Sequence, residues 1–153
     1  MAKASKSAVT KKDGGKTGIG IKYADKSAGQ PGMVIIFNEI RKLLLHYEKG
    51  TIKVLGGKEG KILLISKKEI VISGKALTEV WFASALIQKG YVGFYFMPVY
   101  GQPEMGAQLH PSLMKCLKGK TCFHIKKNDK EMYNHIQDAL KVGYAFYKDI
   151  GWV

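Results

Sequence analysis

Apolar residues first recur with a helical period near position 33. Met33, Ile36, Phe37, Ile40, Leu43, Leu44 and Tyr47 follow one another at mostly three- and four-residue steps, which predicts a helix with one apolar face that ends near Gly50. The period then changes. Residues 51–55, 61–65 and 69–73 are short runs rich in β-branched side chains, separated by turn formers such as Gly56, Gly57 and Gly60, and they predict an antiparallel meander. Two longer runs, 79–87 and 91–100, meet at Gln88, Lys89 and Gly90, which is hairpin spacing, and predict the central strand pair. Pro103 opens a helical stretch carrying Met105 and Leu109, and Pro111 opens a second that reaches Gly119 through Leu113, Met114 and Leu117. One more strand is expected at 121–126. A terminal helix follows, with Asn128 as cap, Glu131 reaching back, and Met132, Ile136, Leu140, Gly143, Tyr147 and Ile150 along one face.

This order predicts an α+β fold, an antiparallel β-sheet with helices packed on one face, as a single domain over 32–153 with no internal repeat. Residues 1–31 are dominated by Lys, Gly, Ser and Ala, with scattered Val9, Ile19, Ile21 and Tyr23. They bury too little apolar area to offset their ordering entropy, so a disordered basic tail is expected. Within 91–100, alternation assigns Val92, Phe94 and Phe96 to the core and Tyr91, Gly93 and Tyr95 to the opposite surface.

Charge adds a class of partner. The formal net charge is +13: residues 1–30 hold seven lysines against Asp13 and Asp25, giving +5, and the remainder holds eighteen basic against ten acidic residues, giving +8. Such a field favours polyanions and anionic ligands, and it also serves solubility. No run approaches the ~18–20 apolar residues needed to span a bilayer, and no apolar stretch follows the first charges, so a cytoplasmic location without membrane association is expected.

Several motifs carry candidate chemistry. The run 10–17 ends like a phosphate-binding loop but begins with Thr10 and has neither a strand before it nor a helix after it. The run 89–96 matches the RNA-recognition strand pattern at Lys89, Gly90, Tyr91 and Phe96, and departs from it at positions four to six. Cys116 and Cys122 are expected as free thiols, being too few for a disulfide framework. Cys122 and His124 lie two apart on one strand, and His110 and Cys116 precede them, so these four are the candidate metal ligands, of the soft and imidazole type that suits zinc or iron. Carboxylates are scattered, and no pair is placed for acid–base work. No catalytic residue and no resident cofactor is therefore predicted, although iron stays open as a ligand.

The clustered residues Tyr91–Tyr100, Pro103, Glu104, Pro111–Leu113, Gly119–Phe123 and Tyr147–Trp152 resemble the YdhG-like family of small domains of unknown function. The resemblance implies a frataxin-like two-layer α+β domain, and for some members an intracellular iron-chaperone role. Frataxin-type iron binding is associated with an acidic ridge, and this sequence departs from it: the helix from Met33 offers only Glu39 and Glu48, alongside Arg41, Lys42 and Lys49.

Together these readings predict a non-catalytic binding or chaperone-like domain in which Tyr91, Tyr95, Tyr100, Lys120 and His124 line a groove for a small anionic ligand or an acidic segment of a partner protein. The alternative for the same region is a packing seam of Met97, Pro98, Tyr100 and Cys122. The alternative for function is nucleic-acid or polyanion binding through the basic tail and the lysine-rich surface.

Overall fold

The computed structural model describes residues 23–153. The run 10–17 and residues 1–22 of the expected tail lie outside the described residues. Residues 23–30 are held against the body: the Tyr23 hydroxyl donates to the Ile87 carbonyl at 3.0 Å, and the Gln30 side chain donates to the Gln88 carbonyl and accepts from the Gly90 amide. The body therefore begins before position 32. Its first helix, α1 (Pro31–Leu45), starts at a proline whose missing N–H is among those a helix leaves unpaired anyway, and it buries Ile36, Phe37, Ile40 and Leu44.

Among the described residues, eight strands follow in two sheets. β1 (Ile52–Lys58) and β2 (Lys61–Ser66) form the expected hairpin. The third predicted strand does not join them. β3 (Ile70–Ile72) pairs with an unpredicted β4 (Lys75–Leu77), because Ser73 and Gly74 both take positive φ and make a two-residue turn that folds the run back on itself. β5 (Val80–Gln88) and β6 (Tyr91–Phe96) are the central pair. β6 is shorter than the 91–100 run, since Pro98 cannot donate to a ladder and instead opens a four-residue helix, α2 (Pro98–Gly101). The stretch from Pro103 is a 3-10 helix, Pro103–Gln108, and the Pro111 helix is a single turn, α3 (Pro111–Met114). After it, β7 (Leu117–Lys118) returns through Gly119 (φ 76°) to pair with β8 (Cys122–Ile125). The larger sheet has six antiparallel strands in the order β1-β2-β5-β6-β8-β7, which with the helices makes the fold α+β.

The chain closes with α4 (Lys130–Asp149). Its cap is Asp129, whose carboxylate accepts from the Glu131 amide at 3.0 Å, and not Asn128, whose side chain accepts instead from the Tyr133 hydroxyl. Either residue type can cap; Asp129 is the one that immediately precedes the first helical residue.

One apolar cluster joins buried residues of α1 and α4 to one set of strand alternates: Ile62 and Leu64 of β2, Ala85 and Ile87 of β5, Val92, Phe94 and Phe96 of β6, and Phe123 and Ile125 of β8. Leu63, Ile65 and Leu86 are also buried but stand outside that cluster, because alternation turns them to the other face. Among the described residues no helix is long and apolar enough to cross a membrane.

Candidate functional site

Strand register composes the second face of the sheet row by row, since direct partners in an antiparallel ladder point the same way. One row reads Leu55, Leu63, Ser84, Tyr95, Cys122, Lys118 across all six strands. The next reads Lys61, Leu86, Gly93, His124, and at the sheet ends Lys53, Ile65 and Trp81 align on one side and Gln88 with Tyr91 on the other. Trp81 reaches this face through an irregularity: Leu64 pairs with Ala83 and Ile65 with Trp81, so Phe82 is the extra residue of a bulge and can enter the core while Trp81 turns outward. These rows contain aromatic rings, a thiol and lysines, and no carboxylate.

Three of the five predicted groove residues are brought together here. The rings of Tyr91 and His124 stack with centroids 3.8 Å apart and planes 10° from parallel. Tyr95 lies beside Cys122, and both lean over Gly93: a Cβ built at Gly93 would stand 3.0 Å from Tyr95 Cε1 and 3.4 Å from Cys122 Sγ. Gly93 thus leaves the space that the phenol fills. The other two form a separate pair, with Lys120 Nζ 5.5 Å from the ring centroid of the exposed Tyr100. That pair adjoins the face through Thr121 and Met97, which help to line a cavity of about 180 Å³ together with Leu63, Trp81, Ser84 and Tyr95.

Electrostatics keep Tyr95 and His124 uncharged near neutral pH. Burial, and then the neighbouring Cys122 and Tyr91, hold the Tyr95 phenol well above its ordinary range, so it stays a hydroxyl. Burial pushes the Cys122 thiol up as well, which suits packing and not nucleophilic attack. His124 titrates below its usual value because of burial and then the charges of Lys118 and Lys126. Cation character on this face therefore belongs to lysine.

The candidate metal ligands do not assemble. His110 stacks on His135 of α4 at 3.6 Å, and its Nδ1 accepts from the Ser112 amide as the cap of α3. Cys116 and His124 share the lining of a cavity of about 190 Å³ with Asp129, while Cys122 lies in the row beside Tyr95. Among the described residues no three His, Cys, Asp or Glu side chains are placed to hold a metal ion, and both cysteines are free thiols. Another cavity, of about 330 Å³, lies between α1 and the β1–β2 turn, where the Arg41 guanidinium donates to the Gly57 carbonyl.

Trp81, Ser84, Lys53, Lys61 and Lys118 were not among the residues expected at the site. The signal that could have found them is the pairing of the strand runs in register, which places Ser84 and Lys118 in the row of Tyr95, Lys61 in the row of His124, and Lys53 and Trp81 in a further row of the same face. The chain matches no family model, no curated protein and no solved structure.

Proposed function

We propose that the protein is a non-catalytic binding domain of YdhG-like kind, in the cytoplasm, and that it takes single-stranded nucleic acid on the lysine-flanked aromatic face of its sheet. The observation that carries this reading is the composition of the rows: Trp81, Tyr95 and the Tyr91–His124 stack lie among Lys53, Lys61 and Lys118, with no acidic alternate between them. A single strand offers what such a face holds. Its phosphates meet lysines, and its unstacked bases meet neutral rings, each stacked base contributing roughly 1–3 kcal/mol. Four phosphate contacts would give a salt slope near −3 and so lower affinity about fifty-fold between 50 and 200 mM salt.

The small-anion groove first expected at Tyr91, Tyr95, Tyr100, Lys120 and His124 becomes part of the same surface. Iron delivery has less support, because the four candidate ligands are dispersed among the described residues.

The test is fluorescence anisotropy with a labelled oligothymidylate and with a duplex of equal length. Charge alone would favour the duplex, whose charge density is higher; rings favour the single strand. Preferential, salt-dependent binding of the single strand is expected. Equal or tighter binding of the duplex, or binding that salt leaves unchanged, would sink the reading.

A further inference from the structure

At one end of the aromatic face the sheet is indented. The cavity of about 180 Å³ is lined by Trp81, Tyr95, Met97 and Thr121 together with Leu63 and Ser84. Its size equals the liquid share of about six waters and falls below the ~300–1,000 Å³ of pockets that hold drug-sized ligands, so one planar ring fits and two in succession do not. Ser84 is the second observation. The residue is 2% exposed, lies in the row between Leu63 and Tyr95, and is among those that line the cavity. Its hydroxyl gives an otherwise apolar and aromatic lining a group that can donate to or accept from the polar edge of a ligand.

We infer that this cavity receives a single unstacked base of the bound strand, inserted among the rings of Trp81 and Tyr95 with its polar edge toward Ser84. The inference rests on the nucleic-acid reading above and adds to it a site that reads a base and not only its phosphate. A hydroxyl can donate or accept, and Thr121 supplies a second one at the rim, so the pocket accepts several base edges and restricts size more than identity. Tyr100 and Lys120 stand beside that rim, where the strand's phosphate would pass.

The experiment compares the full chain and its Ser84→Val variant against two probes of equal length and charge, oligothymidylate and an abasic strand. Wild type is expected to bind oligothymidylate at least about 5-fold more tightly than the abasic strand, since each stacked base gives about 5- to 160-fold. Ser84→Val should remove much of that difference and leave affinity for the abasic strand unchanged. Should the variant fold poorly, tryptophan fluorescence of wild type replaces it: the thymidylate strand should quench emission, the abasic strand should not, and Trp81→Phe should abolish the response. If wild type prefers oligothymidylate and Ser84→Val keeps that preference in full, the base pocket is wrong and the lysine-flanked aromatic face stands; if both strands bind wild type equally, the rings stack no base and both readings fall. If neither strand binds, both fall together.

Discussion

The hydroxyl of Tyr147 on α4 donates a 2.7 Å hydrogen bond to the backbone carbonyl of Trp81, so the helix that closes the core also fixes the strand segment whose indole faces the opposite side of the sheet. Tyr147 is buried, and burial holds its phenol far above the ordinary range, leaving it a donor across the working pH. Replacing it by Phe deletes the donor and leaves the Trp81 carbonyl in the interior without this partner. Tyr147→Phe should lower stability by about 1–3 kcal/mol, and thermal melts should show a midpoint reduced by about 2–4 °C per kcal/mol. An unchanged midpoint would mean that the bond contributes nothing beyond packing.

Gly143 meets the same core from the helix side. A Cβ added there would overlap the Phe96 ring, standing 2.7 Å from Cε1, and come within 2.9 Å of Pro98 Cγ. Alanine in place of glycine gains about 1 kcal/mol of helix propensity, but overpacking a filled core loses ~1–3 kcal/mol. Because the clash is with a ring fully enclosed by its neighbours, the second effect should win: Gly143→Ala is expected to unfold at lower denaturant than wild type, and a variant that gained stability would show that Phe96 can move aside.

Gly93 tests the face and not the core. Its added methyl would crowd Tyr95 Cε1 at 3.0 Å, so Gly93→Ala should tilt the phenol while leaving the ladder intact. Affinity for oligothymidylate should drop several-fold with little change in melting temperature. Full retention of affinity would remove Tyr95 from the binding surface.

His124 gives a pH prediction of fixed sign. Its folded pKa lies below the ordinary 6.5, through burial and then Lys118 and Lys126, so the folded state favours the neutral ring. The stability this supplies is fully present above 6.5 and is lost as pH falls through the lower folded value. Urea midpoints of wild type should therefore decline over that window more steeply than those of His124→Gln. Parallel declines would show that the ring is equally easy to protonate when unfolded.

The parts of this fold that could be read from the chain are those in which neighbours in sequence carry the information. The stripe from Ile36 to Leu44 and the one from Ile136 to Tyr147 are helices on the faces that the period assigns, and Val92, Phe94 and Phe96 are buried as alternation requires. Errors fell where two local signals compete. Asn128 and Asp129 are both capping residues, and the choice depends on the Tyr133 hydroxyl engaging Asn128. The run from Ile70 looked like a strand of the meander, but its turn at Ser73 and Gly74 pairs it with Lys75–Leu77. The site was half legible for another reason. Tyr91, Tyr95 and His124 share a face by simple alternation and one strand pairing, whereas Trp81 is placed there by a bulge, and a bulge is invisible until two strands are laid in register.

Among the described residues the ladder of the larger sheet ends on one side at β1, and that border is irregular. Its pairing with β2 slips between Gly56 and Lys58, where Gly56 and Gly57 take φ of 79° and 109°, and Lys53 projects exposed from the regular portion. A foreign strand approaching this rim would find only a few residues of straight backbone before the path twists away, and it would meet a charge on the way. The protein's protection against cross-β aggregation at high concentration is thus built into the Gly56–Gly57 irregularity, just ahead of the Glu59–Gly60 turn that closes its first hairpin.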